Sequence, residues 1–105
     1  MAELIMAVDK VCTVIEKSNP PILKITATGL VNCSGWSGGT LVPYRYIVFP
    51  EDGIQDFSFE ADRPDGVAAQ VISPIEAAEL AWQMYNGVLK GVRVHSEQNK
   101  VEVRL

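Results

Sequence analysis

The chain has 105 residues, of which 48% are hydrophobic and 21% charged, the size and balance of one globular domain. Its net charge of −4 and its scattered cations argue against a nucleic-acid partner, which requires clustered Lys and Arg. No apolar stretch reaches the roughly 20 residues that cross a bilayer, and Glu3 stands where a secretory signal has positive charge. We therefore expect a single cytoplasmic domain over residues 1–105, with neither a membrane nor a nucleic acid as its partner.

Two strands are predicted in the first third of the chain. Residues 10–16 are rich in β-branched side chains, which favour a strand, although the apolar spacing over residues 3–17 also fits one face of a helix. Residues 22–31 alternate more regularly, with apolar side chains on one face and polar ones on the other. Residues 18–21 separate the two segments, because their two prolines cannot donate hydrogen bonds to a sheet.

A glycine-rich segment follows the second strand. Residues 32–40, with the sequence NCSGWSGGT, have no hydrophobic period and are predicted to form a loop. Trp36 stands in this loop between glycines, and its large apolar ring is of the kind that anchors protein interfaces. The alternative is that Trp36 folds back and caps the end of the core. A phosphate-binding loop is not indicated, because no lysine follows the glycines.

A β-hairpin is predicted next. Its strands are residues 41–49 and 57–62, and the Pro-Glu-Asp-Gly sequence of residues 50–53 is a strong turn signal between them. The first strand carries apolar bulk on both faces. Tyr44 and Tyr46 share one of these faces, where they either line a ligand groove or pack against the rest of the domain.

The second strand of this hairpin alternates strictly between apolar and polar residues. Because side chains alternate faces along a strand, Phe57 and Phe59 are expected in the core and the even-numbered residues from 56 to 62 in water. A second turn of similar composition follows at residues 63–66. Turns at this spacing are typical of a β-sandwich.

One short helix is predicted, over residues 74–85, after a further strand at residues 67–72. The Ser-Pro-Ile-Glu sequence of residues 73–76 fits a capping box with proline at the first helical position, and the helical spacing places Trp82 in the core. The rival interpretation is a strand through residues 79–84, because large apolar side chains also alternate there.

The C-terminus is predicted to form a second hairpin. Residues 92–95 and 101–105 carry valines on one face and mostly charged residues on the other, and residues 96–99 supply the turn. Arg93 and His95 are expected on the wet face of its first strand.

Catalytic and metal-binding residues are sparse in this sequence. Cys12 and Cys33 match no zinc or redox spacing, and His95 is the single histidine. A hydrolase using Cys33 and His95 is an unfavoured alternative, because no nucleophile motif surrounds the cysteine. The acidic turns contain calcium-type oxygen ligands but lack an EF-hand spacing, and a solvated acidic face explains them more simply. No cofactor is expected.

The combined patterns predict a mainly β, immunoglobulin-like antiparallel β-sandwich with one short helix, with an α+β fold as the alternative. The predicted function is a non-enzymatic binding or structural module that presents its loops to a protein partner or to a second copy. A protease-inhibitor-like or immunity-type protein, which inserts the same loop into an enzyme, is the alternative. The residues predicted to bind the partner are Gly35, Trp36, Gly38, Tyr44 and Tyr46.

Overall fold

Strands, and no helix, make up the regular secondary structure of the part of the chain that the computed structural model describes, residues 2–19, 21–48, 50–66, 70–83 and 89–105. The nine strands in these ranges, in chain order, are β1 (Ala2–Leu4), β2 (Ala7–Glu16), β3 (Ile22–Val31), β4 (Ser37–Pro43), β5 (Ile54–Asp62), β6 (Ser73–Glu76), β7 (Leu80–Gln83), β8 (Gly91–His95) and β9 (Lys100–Arg104). They form two packed sheets, so the predicted mainly β, sandwich-like fold is confirmed.

Each sheet is built around one long central strand. In sheet A, β5 pairs with β4 along one edge and with β1 and β8 along the other, and β9 continues from β8. In sheet B, β3 pairs with β2 along one edge and with β6 and β7 along the other. The β5–β8 pair is parallel, and the remaining pairs are antiparallel. This parallel pair is the exception to the antiparallel arrangement predicted from the sequence.

The core lies between the two sheets, and β5 supplies its largest side chains. Phe57 and Phe59 are fully buried, as the alternation predicts, and Trp82 of β7 packs edge-on against Phe57 with ring centroids 5.5 Å apart. The prediction for the opposite face is wrong at two positions, because Asp56 and Ser58 are only 9% exposed. The fully buried residues from both sheets include Ile5, Leu23, Ile25, Ile54, Val92 and Val94.

The N-terminal chain crosses from sheet A to sheet B between β1 and β2. At this crossing the amide of Ile5 donates to the carbonyl of Phe59 at 3.1 Å, while the carbonyls of Ile5 and Met6 accept from Glu97 and Gln98, each at 3.0 Å. The crossing needs a glycine in β3, because a Cβ on Gly29 would lie 2.3 Å from the Cδ1 of Ile5. Strands β1 and β2 therefore act as one strand shared by both sheets.

The helix predicted over residues 74–85 is wrong as far as residue 83, and its last two residues lie outside the described part of the chain. Strands β6 and β7 occupy these positions, and Trp82 pairs with Leu23 of β3. Ser73 does not cap a helix, since its hydroxyl donates to the carbonyl of Val71 at 2.9 Å. Strand pairing along the edge of β3 and the partial burial of Trp82 outweigh helix propensity, which is a weak preference of a few tenths of a kcal/mol per residue. The rival interpretation, a strand through residues 79–84, is confirmed for residues 80–83; residue 79 precedes the strand, and residue 84 lies outside the described part of the chain.

The other predicted strands hold to different extents. The strand at residues 22–31 is confirmed at both ends, and the strand at residues 10–16 is confirmed and begins earlier, at Ala7. Both strands of the C-terminal hairpin are confirmed, with valines 92 and 94 buried. Strand β4, however, starts inside the predicted glycine loop and ends at Pro43, well before residue 49, which lies outside the described part. Residues 70–72 are not a strand, and residues 67–69 also lie outside the described part.

Candidate functional site

The five residues predicted to bind a partner lie at the two ends of β4. Gly35, Trp36 and Gly38 lie at its start, whereas Tyr44 and Tyr46 follow its end. The strand has seven residues, and at about 3.3 Å per residue it separates the two groups by roughly 20 Å. The two groups therefore belong to different surfaces.

Trp36 is half-buried and packs against the core, so it does not protrude from its loop. The guanidinium of Arg63 lies over the indole, with its Cζ 5.5 Å from the ring centroid. Arg63 also pairs through its Nε with Glu3 at 2.7 Å. The indole Nε1–H is buried, and it donates to no residue in the described part of the chain. Trp36 thus combines a stacked cation with a buried donor.

Two turns meet beside Trp36, and their contact depends on glycine. Gly35 has a φ of 93°, and a Cβ there would lie 2.9 Å from the Cβ of Pro64. A larger residue would be strained in its backbone and would collide with the proline. Gly38 also has a positive φ, of 66°. These two predicted site residues therefore shape the backbone around Trp36 and offer a partner no side chain.

Two hollows, each with a volume of about 200 Å³, open beside the Trp36–Arg63 pair. They are adjacent, because Asn32, Trp36 and Arg63 line both of them. We call the first the Cys33 hollow; its other lining residues are Cys33, Pro64, Gly66 and Gln70. We call the second the Met6 hollow; its other lining residues are Leu4, Met6, Glu97 and Gln98. Together these residues form the Trp36 end of the molecule.

At the other end of β4, Asp56 is the centre of a hydrogen-bonded cluster on the outer face of sheet A. Its Oδ1 accepts from Arg93 Nη1 at 3.1 Å and lies 2.7 Å from His95 Nε2, and its Oδ2 accepts from the hydroxyl of Tyr46. The parallel register explains the convergence, because Asp56 lies opposite Arg93, and Ser58 lies opposite His95. Alternate residues of β5 and β8 therefore share this outer face.

The charges of this cluster follow from its contacts. Burial opposes ionisation of Asp56, but hydrogen bonds from Tyr46 and His95 and the charge of Arg93 outweigh it and lower the pKa of the carboxyl. Burial and the hydrogen bond to Asp56 raise the pKa of Tyr46 to about 12. A hydrogen bond with Glu102, at 2.9 Å from Nη2, raises the pKa of Arg93. At neutral pH the cluster therefore holds an ionised carboxylate and an intact phenol.

The cluster fixes the base of the segment that follows β4, residues 44–48, which we call the Tyr46 loop. The ring of Tyr44 stacks on His95 with centroids 5.2 Å apart, and the amide of Tyr44 donates to the carbonyl of Asp56 at 2.9 Å. The side-chain amide of Gln55 donates to the carbonyl of Tyr44, also at 2.9 Å. Tyr44 and Tyr46 thus both contact their own sheet, and Tyr44 remains 42% exposed.

The tip of the Tyr46 loop is apolar and stands in solvent. Ile47 is 105% exposed and Val48 is 80% exposed. Both side chains are more exposed than any other large hydrophobic side chain in the described part of the chain. The loop therefore has a fixed polar base and a projecting apolar tip.

Comparison of the chain with protein-family models, with curated proteins and with solved structures finds no match. The described residues contain no helix of the length and apolar character that a membrane span requires.

The two residues of the alternative hydrolase site are not brought together. Cys33 lines a hollow with Arg63, the residue after β5, whereas His95 lies opposite Ser58 and contacts Asp56. Ser58 and Arg63 are five residues apart along the direction of β5, which corresponds to about 16 Å. Cys12 and Cys33 do not form a disulfide.

The acidic turns do not assemble a metal site within the described part of the chain. No group of three or more His, Cys, Asp or Glu side chains there is placed to hold a metal ion. One turn acid has a local role instead, because Asp52 Oδ1 accepts from the amide of Ile54 at 3.0 Å.

Sequence reasoning missed three residues that define these surfaces. Arg63 was part of a turn signal, and Arg93 and His95 were expected to be solvated. Their partners depend on which strands are neighbours, and the parallel β5–β8 register leaves no local pattern in the sequence. The available signal was weaker: a cation two residues before the only histidine, on one face of a predicted strand.

Proposed function

We propose that this chain is a non-enzymatic protein-binding module that receives a partner at the Trp36 end. The observation that supports the proposal is the pair of adjacent hollows beside the stacked Trp36 and Arg63. Trp and Arg are the residue types most enriched at the energetic centres of protein interfaces. In this proposal Trp36 forms part of a receiving surface and is not inserted into the partner.

The size of the hollows favours side chains over an enclosed metabolite. Each hollow has a volume of about 200 Å³, whereas pockets for drug-sized ligands usually have about 300–1,000 Å³. Two neighbouring hollows suit an extended segment, in which alternate side chains on one face are about 7 Å apart. The partner is therefore expected to present a segment with two side chains to the two hollows.

The surface is also preorganised, which lowers the entropy cost of binding. Trp36 is packed on the core, and the Gly35–Pro64 contact fixes the two turns against each other. The ion pair between Arg63 and Glu3 connects this turn to β1. A partner would meet a surface that is already in place.

Selection from a random-peptide display library tests this proposal. Peptides enriched on the wild-type protein should bind Arg63→Gln and Trp36→Phe about three- to tenfold more weakly, since the first change removes a charged donor and the second removes part of the ring that lines both hollows. Val14→Ser, an exposed change on the outer face of sheet B, is the matched control and should bind as the wild type does. An absence of enrichment, or equal binding to all four proteins, would contradict the proposal.

A second copy of the chain is the other partner that this proposal admits. Sedimentation velocity separates the two cases, because self-association through the Trp36 end would give a dimer that Arg63→Gln dissociates. If the chain stays monomeric at all accessible concentrations, the partner at the Trp36 end is a different protein.

An inhibitor-like function is the second candidate, and the Tyr46 loop favours it. The Tyr46 loop has an exposed apolar tip, and its base is held by contacts of Tyr46 with Asp56 and of Tyr44 with His95. A loop held in this way can insert into an enzyme without a large entropy cost, because its conformation is fixed before binding. This moves the inserted segment away from the glycine loop, in which Trp36 is packed down. Inhibition of an endopeptidase, in a panel covering the catalytic classes, should be lost in Ile47→Ser and retained in Trp36→Phe. Inhibition that survives Ile47→Ser would remove this candidate.

A further inference from the structure

Strand β2 forms an outer edge of sheet B. It pairs with β3 from Ala7 to Glu16, and no strand in the described part of the chain pairs with its other side. Asn99 covers this free edge at one point, where its side chain bonds both the amide and the carbonyl of Val8, at 2.8 and 2.9 Å. Strand β9 approaches β2 without pairing with it. Beyond Val8, the backbone groups on this edge are therefore unpaired with any described strand.

The odd-numbered residues in the second half of β2 direct their backbone groups toward this free edge. The carbonyl of Ala27 accepts from the amide of Ala77 at 2.9 Å, on the side of β3 away from β2. Ala27 therefore does not bond its cross-strand partner Val11, whose amide and carbonyl point away from β3. Because these directions alternate along a strand, Thr13 and Ile15 present their groups to the same edge as Val11. A long unpaired edge without proline is a template for another strand.

The sequence of this segment is complementary to itself when it is reversed. Residues 9–17 read DKVCTVIEK, with Thr13 at the centre. Reversal about Thr13 brings two unlike charges or two apolar side chains together at every other position: Asp9 with Lys17, Lys10 with Glu16, Val11 with Ile15, and Cys12 with Val14. Two copies of this segment can therefore face each other with matching side chains along its whole length.

We infer that the free edge of β2 binds the same edge of a second copy of the chain, in an antiparallel strand pair with its two-fold axis at Thr13. The pair joins the two copies of sheet B into one continuous sheet. None of residues 9–17 lines the hollows of the Trp36 end, so the inference does not rest on the proposed function.

Backbone geometry and charge together select this register. Because the odd-numbered residues of both copies carry the outward groups, hydrogen bonds form only where odd positions face odd positions. The neighbouring register on one side would place Cys12 opposite itself and Lys10 opposite Val14. The neighbouring register on the other side would place Cys12 opposite Glu16. Both leave a charge facing an apolar side chain, whereas the register centred on Thr13 pairs every charge.

The charges at the two ends of the segment are available to a second copy. Asp9, Lys10 and Lys17 are exposed, and none of them forms an ion pair within the described residues. Glu16 contacts Lys24 through its Oε2 at 2.9 Å, which leaves Oε1 to accept from Lys10 of the second copy. Opposite charges that face each other across an antiparallel pair stabilise it, and the two-fold axis repeats each such contact.

The exposed apolar side chains of β2 gain cover from the same pairing. Val14 is 64% exposed and Ile15 is 45% exposed. Val14 lies on the outer face of sheet B and would meet Cys12 of the second copy, whereas Ile15 would meet Val11. Each face of the joined sheet therefore continues from one copy to the other with apolar contacts beside the two-fold axis.

Charge reversal tests the inference in a sedimentation-velocity concentration series of the full chain. One strand pair is a small interface, so the association is expected to be weak and the series should extend to about 1 mM. Lys10→Glu and Glu16→Lys should each weaken the wild-type dimer about tenfold or more, because two attractive contacts become repulsive. Glu51→Lys, an exposed reversal beyond the far end of β4, is the matched control and should leave the dimer unchanged.

An equimolar mixture of Lys10→Glu and Glu16→Lys should dimerise as the wild type does. In the mixed dimer the introduced glutamate of one variant faces the introduced lysine of the other, and the two original residues still face each other. Restoration by mixing also excludes a folding defect as the reason for the monomers. The wild-type dimer should weaken as salt rises, because these charges are exposed.

A disulfide tests the register. Cys12 and position 14 of the second copy form a pair without hydrogen bonds, in which the Cα atoms are about 4.5 Å apart, within the range of about 4.4–6.8 Å that disulfides span. In a Cys33→Ser background, Val14→Cys should give a disulfide-linked dimer on a non-reducing gel, and Cys12→Ser should abolish it. The Cys33→Ser protein with Val14 intact should not be linked, because the two Cys12 residues are not opposite each other.

Several outcomes would overturn the inference. A wild type that stays monomeric throughout the series would do so, as would a dimer that neither reversal weakens or that the mixture does not restore. A dimer that only Arg63→Gln dissociates would place the contact at the Trp36 end instead. A linked dimer that persists after Cys12→Ser would show that position 14 faces itself, which contradicts the axis at Thr13.

Discussion

Asp56 accepts hydrogen bonds from several side chains, and the Tyr46 loop depends on it. The substitution Asp56→Asn keeps the shape but removes the charge that Arg93 and His95 contact at 3.1 Å and 2.7 Å. We expect it to lower the free energy of unfolding by about 1.5–3 kcal/mol, the range for hydrogen bonds to charged groups. Urea unfolding at neutral pH measures this, and the exposed change Glu51→Gln should stay within about 0.5 kcal/mol of the wild type.

The acid side of the stability profile tests the same residue independently. Because the pKa of Asp56 is lowered in the folded state, its ionised form stabilises the fold above its unfolded pKa of about 3.9. That contribution is lost as the pH falls from there through the folded value. The stability gap between wild type and Asp56→Asn should therefore narrow below about pH 4. A gap that is constant from neutral pH to strongly acidic pH would show that Asp56 is not held in its ionised form.

Tyr46 gives the corresponding prediction at high pH. Its pKa is raised to about 12, so the intact phenol contributes fully to stability below the ordinary value near 10 and this contribution is lost as the pH rises through the folded value. Ultraviolet absorbance should show one phenolate forming near pH 12, and Tyr46→Phe should remove that late step. Tyr44→Phe is the control and should retain it. If the absorbance step near pH 12 remains in Tyr46→Phe, that step belongs to another group and the prediction for Tyr46 is wrong.

At the scale of single elements, the crossing between β1 and β2 depends on Gly29. A methyl group there would lie 2.3 Å from Ile5 Cδ1 and 2.6 Å from the carbonyl oxygen of Ala7. Gly29→Ala is therefore expected to destabilise the fold by about 1–3 kcal/mol through overpacking. Thermal unfolding measures this, with the neighbouring change Thr28→Ala as the control. Equal melting temperatures for the two variants would mean that β1 and β2 do not pass this close to β3.

The elements that could be predicted from the sequence were the strands that bury one face in the core and expose the other. Residues 22–31 alternate along their whole length and became β3, and the C-terminal valines placed β8 and β9 correctly. The helix prediction failed because the same apolar residues satisfy two periods between residues 74 and 83, and only the free edge of β3 decides between them. Local propensity cannot indicate strand partners that are 42 to 61 residues away in the chain.

The candidate site could be predicted less completely than the fold. Trp36 was identified from its glycine-rich surroundings, but its burial and its contact with Arg63 depend on the packing of two distant turns. Asp56 was placed on the correct face of β5, yet that face is covered by the Tyr46 loop. Alternation predicts which way a side chain points, and it cannot predict what lies over that face.

At the scale of the whole molecule, β4 separates two surfaces of different character. The Trp36 end is concave, and the Tyr46 loop ends in an exposed apolar tip. The two cysteines distinguish binding at the first surface from other effects, because Cys33 lines a hollow at the Trp36 end and Cys12 is exposed on sheet B. One thiol therefore reports on the proposed site, and the other is an internal control.

The most direct test of the Trp36 end as a binding surface is the alkylation rate of these two cysteines, followed by mass spectrometry with and without a saturating peptide selected on the wild-type protein. Binding in the hollows is predicted to slow the alkylation of Cys33 several-fold and to leave that of Cys12 unchanged. Equal rates for Cys33 with and without the bound peptide would contradict the account, because the peptide would then occupy another part of the molecule.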